Sequence, residues 1–209
     1  EARDIIINNI DVVYEKPVLF ANWGPFNFVQ TLYHGEDWAG NWRVGFQGLV
    51  SKVQQCYNPP NHTYVFLVQT DEPQKLRALK EKIRQLYNVG NHSVHINDTH
   101  EETIRIASAV FNKNSIHFLN NTKPQYLQNF HTYFEQYRNW FSRHNEDRDN
   151  FCIDSSAVLS AYGLRDCRDL DFLYSGHDIH TGIEKIDCHN EEMKYYLHKK
   201  DDIIFNPDN

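Results

Sequence analysis

Apolar and polar residues recur along this chain with two different periods, and the changes between them outline its elements. An apolar run over residues 4–13, carrying Ile5, Ile6, Ile7, Ile10, Val12 and Val13, predicts a first strand. Residues 64–68, Tyr-Val-Phe-Leu-Val, form a short continuous apolar run of the kind a buried strand shows. Asp71, Glu72 and Pro73 then signal a helix start, with acids in the first turn and proline at an early position. Leu76, Leu79, Ile83 and Leu86 follow at helical spacing, and Gly90 marks the stop. Residues 93–96 predict another strand. Thr99, His100, Glu101 and Glu102 fit a capping box that opens a helix with Ile104, Ala107, Val110 and Phe111 on one side. Residues 115–119 predict a third strand. Strand, helix, strand, helix, strand in this order predicts an α/β unit with a parallel sheet.

Two segments flank that unit. Residues 20–46 are aromatic and glycine-rich, with Trp23, Trp38 and Trp42, and no period dominates. Large aromatics dominate cores, so the expectation is that these rings plug one; exposed platforms for sugars or bases are the other option. Residues 125–142 carry Tyr126, Leu127, Phe130, Tyr133, Phe134, Tyr137, Trp140 and Phe141, a helical stripe. The charged stretch 143–150 reads as a connector. The expected organisation is an α/β portion over residues 1–124 and a second portion of mixed sheet over 125–209, α+β overall. No internal repeat or low-complexity segment occurs.

Composition narrows the classes. Among 209 residues, 40% are hydrophobic and 14% aromatic, which excludes an intrinsically disordered chain. The formal charge is 21 − 28 = −7, the opposite of what a protein gripping a nucleic-acid backbone carries. No apolar run approaches the ~20 residues of a membrane span, and no basic, apolar leader precedes the first strand. The chain begins at Glu1 rather than Met, which points to trimming or to a fragment. Cys56, Cys152, Cys167 and Cys188 form no CxxC pair, so reduced thiols in a cytoplasmic compartment are expected. Sequons at Asn61, Asn91, Asn97 and Asn120 read as accidents of an asparagine-rich chain.

Residues 152–175, CIDSSAVLSAYGLRDCRDLDFLYS, carry the most chemistry. An apolar start leads to Ser155 and Ser156, then to a small-residue helix over 157–162, Gly163, two arginines, and Asp169-Leu170-Asp171-Phe172-Leu173. On a strand, Asp169 and Asp171 share a face, while Leu170 and Phe172 point into packing. Carboxylates held side by side repel unless positive charge lies between them. A divalent cation supplies it, and two ions ~3.5–4 Å apart serve phosphoryl transfer.

This segment resembles the nucleotidyltransferase superfamily, which includes DNA polymerase β, the CCA-adding enzymes and the LicD/fukutin-like phosphotransferases. The family pattern is a strand, a small-residue pair, a helix, and Asp-x-Asp on the next strand, with a third carboxylate from a neighbouring strand. The resemblance covers about residues 151–190. It implies that Asp169 and Asp171 bind Mg²⁺ or Mn²⁺ and that Asp187 completes the catalytic acids, with Glu184 as second choice. It implies that Ser155, Ser156, Arg165 and Arg168 hold phosphate. The implied activity transfers a nucleotidyl or phospho-alcohol group from a nucleotide donor to a small molecule or glycan. Serines stand where the family has glycine, and Asp154 lies outside the pattern. A module that binds nucleotide without catalysis is one alternative. A glycosyltransferase using Asp-x-Asp is another, although here the apolar residues follow the motif rather than precede it.

Competing readings accompany these residues. Arg165 and Arg168 are potential ion-pair partners for two solvated acids. His95 and His117, in mid-strand, would meet if their strands were adjacent; His177, His180 and His189 lie closer to the acids and are candidates for proton transfer. Asn97, Asp98 and Asn120 end expected strands, where they would line a pocket or cap helices. Lys75, Arg77, Lys80, Lys82 and Arg84 make a basic helix face, expected to be solvated and paired with acids such as Glu81. No Walker A loop, GxGxxG, GxSxG or HExxH occurs, which argues against P-loop kinases, dinucleotide enzymes, serine hydrolases and zincins.

Overall fold

The first strand starts later than the apolar pattern suggests. Ile5–Ile7 fall in a short helix, α1 (Ala2–Ile7), and β1 runs Asp11–Leu19. The Asn9 side chain donates to the Ile5 carbonyl at 2.7 Å, ending the helix and turning the chain into the strand. These elements come from a computed structural model that describes residues 1–57, 62–144, 146–177, 179–192 and 199–205. The chain is mixed α and β with two small sheets, and it divides into two compact units, Glu1–Asn120 and Asn121–Asn209. The sequon at Asn61 and the Asp178 of the histidine-rich turn lie outside the described residues.

In the first unit β1 pairs antiparallel with β2 (His62–Gln69), the strand expected over 64–68. The other expected strands do not form, and the sheet is not parallel. Residues 93–96 follow a single turn of 3₁₀ helix at Gly90–His92 as irregular chain. Residues 115–119 lie in a helix, α6 (Lys113–Asn121). The Asn112 side chain accepts from the backbone N–H of Asn114 and Ser115 at 2.8 and 3.1 Å, and this capping nucleates a helical turn. A five-residue apolar run fits either structure by periodicity alone, so the cap decides. His117 is therefore helical, and His95 and His117 do not meet on adjacent strands.

The helix expectations fare better. Helix α4 (Pro73–Tyr87) buries Leu79 and Ile83, and Asn88 in the left-handed conformation closes it two residues before Gly90. Helix α5 (His100–Val110) opens on Thr99, whose hydroxyl accepts from Glu102 N–H at 3.1 Å, while Glu102 accepts from Asp98 N–H at 2.9 Å. Asn97 donates to the Thr99 carbonyl at 3.1 Å, and the Asn120 side chain accepts from Ala21 N–H at 2.9 Å. Asn97, Asp98 and Asn120 thus serve caps and turns. On the basic face, Lys75 pairs with Glu72 and Arg84 with Glu81, as a solvated face would. Residues 20–46 resolve into α2 (Gly24–Leu32) and two 3₁₀ turns, Asp37–Ala39 and Trp42–Val44, leading to α3 (Gln47–Cys56). Phe20 and Phe28 enter the core, but Trp23, Trp38 and Trp42 remain 46%, 46% and 41% exposed. The tryptophans do not plug a core as expected.

The second unit is built on a long helix, α7 (Gln128–His144), which starts three residues after the expected position 125. It faces a mixed three-stranded sheet of β3 (Phe151–Asp154), β4 (Leu170–Tyr174) and β5 (Ile186–Cys188), ordered β3-β4-β5. β3 and β4 are antiparallel; β4 and β5 are parallel. Phe130, Tyr137, Trp140 and Phe141 of α7 form one core with Leu170, Phe172 and Ile186 of the sheet. Tyr137 and Phe172 ring centroids are 5.1 Å apart, and Phe151 stacks on Tyr174 at 4.4 Å. Asp166 anchors the helix start, its two oxygens accepting from Asn129 and Phe130 N–H at 3.0 Å each. A carboxylate there satisfies two orphan donors and opposes the helix dipole.

Between β3 and β4 lies α8 (Ser155–Ala161). Gly163 then takes a left-handed φ of +65°, and a Cβ there would sit 2.3 Å from the Lys123 carbonyl oxygen. Only glycine fits that approach.

Emptying the core at Phe172 is expected to cost far more than removing the helix anchor. Phe172→Ala should lower unfolding free energy by about 3–5 kcal/mol, and Asp166→Ala by about 1 kcal/mol. Urea midpoints of the two variants check this, and an inverted order would refute the packing described.

Candidate active site: a row of carboxylates

Strand pairing brings together acids that lie far apart in the chain. In the β3–β4 ladder Asp154 stands opposite Asp171, and in the β4–β5 ladder Asp171 stands opposite Asp187. Residues opposite one another on neighbouring strands share a face. Asp154, Asp171 and Asp187 therefore form one row across the sheet, with Asp171 in the middle. The opposite face of β4 presents Leu170 and Phe172, both fully buried. Their burial sets which face each aspartate takes, since a one-residue slip would send them to the other side.

Asp171 is 7% exposed. Lost hydration pushes its carboxyl above the ordinary range; His189 opposes the shift, and Asp169, Asp154 and Asp187 reinforce it. Asp169 sits just before β4, half-buried, and Asp187 is exposed. His189 is two residues beyond Asp187, and its N–H donates to the Phe172 carbonyl at 2.8 Å, extending the ladder. Its ring closes on the row: Nε2 lies 3.2 Å from Asp171 Oδ1, and Nδ1 lies 3.7 Å from Asp154 Oδ2. When protonated, this imidazole is the counter-charge that the row contains.

The serine pair sits where β3 passes into α8. Ser155 adopts φ +52° without being glycine, a left-handed conformation that costs an ordinary residue about 1–2 kcal/mol. Its hydroxyl is 3.5 Å from both Asp154 Oδ2 and His189 Nδ1. Ser156 is the second residue of α8, and its carbonyl accepts from the Ser160 hydroxyl at 3.2 Å. Arg165 and Arg168 are exposed on the chain between α8 and β4. Among the described residues neither is ion-paired with Asp169 or Asp171, so that explanation of the acid pair lacks support. His177 and His180 are exposed.

The structure thus groups Asp154, Asp169, Asp171, Asp187, His189 and Ser155 around one sheet face, with Ser156 next to them in the chain. Asp154, which the family pattern omits, is a member. Its signal was present in the sequence as the last residue of an apolar strand entering the serine pair, but its partner depended on strand register. His189 shows the strand spacing i, i+2 from Asp187, a signal that carries weight only once β5 is placed.

Carboxylate oxygens are hard donors of the kind Mg²⁺ and Mn²⁺ take, so the chemistry of the donor set fits such an ion. Among the described residues, no three His, Cys, Asp or Glu side chains already converge as a metal site. An ion would have to draw the carboxylates inward, in competition with the His189 ring.

Because the Asp171 carboxyl is raised on folding, the folded chain holds its proton to higher pH than the unfolded chain does. The stability linked to that proton is complete below the unfolded value near 4 and is lost as pH rises through the folded value. In chelator-containing buffer, Asp171→Asn should therefore melt higher than wild type at about pH 7, by roughly 2–4 °C for each kcal/mol relieved. The difference should shrink as the pH falls through the folded value and be absent below about 4. Melting curves across this range check it, and a gap independent of pH would contradict the burial argument.

Comparison with known proteins adds no relative: no family model, no curated protein and no solved structure matches this chain.

Proposed function

We propose that the second unit is a metal-dependent transferase of the nucleotidyltransferase type, moving a nucleotidyl or phospho-alcohol group from a nucleotide donor to a small molecule or glycan. One observation carries the reading: Asp154, Asp171 and Asp187 share a register row that follows a strand, serine pair, helix and strand. A row of like charges on neighbouring strands is destabilising by itself. Its retention around a nearly buried Asp171 is explained if a cation is the missing partner.

In this reading Asp169 and Asp171 hold the ion, with Asp187 and Asp154 flanking them. Bound Mg²⁺ or Mn²⁺ would supply Lewis-acid polarisation of a phosphoryl oxygen. The chain supplies the rest. The Ser155 and Ser156 hydroxyls donate to phosphate oxygens at the β3–α8 junction. Arg165 and Arg168, exposed and unpaired with the acids, offer planar guanidinium forks that match phosphate geometry. His189, between Asp171 and Asp154, keeps the row from repelling itself apart before the donor arrives. The strained φ at Ser155, the first residue of α8, holds its hydroxyl beside Asp154 and His189.

The formal charge of −7 suits a nucleotide taken together with its cation better than a nucleic acid held by the bare surface. No helix among the described residues is long and apolar enough to cross a membrane. Four free cysteines accord with a cytoplasmic setting.

Thermal shift of the whole chain tests the proposal, with nucleoside triphosphates, CDP-alcohols and nucleotide sugars, each with and without Mn²⁺. A ligand at about a hundred times its Kd adds about 2.7 kcal/mol to stability. Stabilisation of that order is expected only when nucleotide and Mn²⁺ are both present, and it should vanish in Asp169→Asn. Absence of any metal-dependent shift across the panel would refute the transferase reading. A response confined to nucleotide sugars would replace it with a glycosyltransferase.

A further inference from the structure

The first unit holds a cleft of about 380 Å³, within the range of small-ligand sites. It lies where α2 turns through the two 3₁₀ segments into α3. Its floor is apolar: Ala39 and Leu49 belong to a buried cluster with Val29. Its polar lining is Gln30, His34, Glu36, Asp37 and Asn41, and the Tyr33, Trp42 and Phe46 rings line it too. The turns that bring these together need unusual backbone. Gly40 has φ +78°, and Phe46 takes φ +50° without being glycine. Gly40 takes its φ without cost in sterics, whereas Phe46 is strained, and strain of that kind gathers at ligand sites.

The lining identifies a class of ligand. The lining residues include two carboxylates against one histidine, His34, and neither lysine nor arginine, so a phosphate-bearing molecule is disfavoured. The Arg43 guanidinium is stacked on the Trp42 ring, 5.1 Å from its centroid, and is not among the lining residues. Amide and carboxylate side chains at the rim offer both donors and acceptors, which a polyhydroxylated ligand uses together. An indole 41% exposed offers apolar area of the kind that the C–H face of a pyranose covers. A simple organic cation would use the carboxylates and the ring but would leave the amides unmatched.

We infer that this cleft between α2 and α3 binds a neutral saccharide, stacked on Trp42 and hydrogen-bonded to the Gln30, Glu36, Asp37 and Asn41 rim. Identification of that saccharide with the glycan acceptor rests on the transferase reading; the binding itself does not.

Saturation-transfer NMR on the whole chain, in metal-free buffer without nucleotide, tests it directly. The probes are glucose, galactose, mannose, N-acetylglucosamine, maltose and lactose at millimolar concentration, with choline chloride and CTP as contrasts. At least one saccharide should bind, with affinity reduced roughly tenfold in Trp42→Ala and largely kept in Trp42→Phe. Asp37→Ala, at the rim, should weaken binding too, and it decides the matter if Trp42→Ala fails to fold. Asp171→Asn should bind saccharide as wild type does. No binding by any sugar, binding indifferent to both cleft variants, or cleft-dependent binding of choline or CTP in place of sugar would overturn the inference. Saccharide binding without any Mn²⁺-dependent nucleotide effect would leave the cleft standing and remove the transferase; the reverse result would do the opposite.

Discussion

Burial of Leu170 and Phe172 is the constraint on which the site depends. Both side chains are fully enclosed against α7, and neither can turn outward without opening the core of the second unit. Strand geometry then forces Asp171, between them in sequence, onto the other face. Pairing on both sides of β4 places Asp154 and Asp187 in register with it. Hydrophobic burial, which has no chemical interest in carboxylates, thus sets three of them side by side. The electrostatic cost is met in part by His189 and in part by leaving Asp187 at the surface.

Local strain follows the same logic. The β3–α8 junction needs a left-handed residue, and the chain uses Ser155 where glycine would be free of cost. At Gly163 the chain does use glycine, because the Lys123 carbonyl leaves no room for a Cβ. The contrast separates two kinds of position. One is dictated by packing, and the other keeps a hydroxyl where the backbone would prefer none. Under the proposed transferase reading, that hydroxyl is what the strain at Ser155 serves.

The two units differ in how readily sequence reveals them. In the second, the helical stripe of α7, the small-residue α8 and the alternating β4 announced themselves through period and length. In the first, α4 and α5 were legible from their starts, Pro73 and the Thr99 box, because capping is a local interaction. Residues 115–119 were not. Their apolar run fits a strand as well as a helix, and the Asn112 side chain, one residue before the helix, settles it. The tryptophans of residues 20–46 were misread for a related reason. Aromatic content says that area is available to bury, but not which rings the folded chain leaves at the surface.

What the sequence by itself determined was local: helix starts, the serine pair, the Asp-x-Asp spacing and the apolar residues that flank it. These rest on interactions within a few residues, so they survive without knowledge of neighbours. What only tertiary structure decided was which distant residues join them. Asp154 and His189 entered the site through strand register, and the cleft beside Trp42 arose from two helices meeting at strained turns. Register and packing are set by the whole core at once, and no single window of the chain contains them.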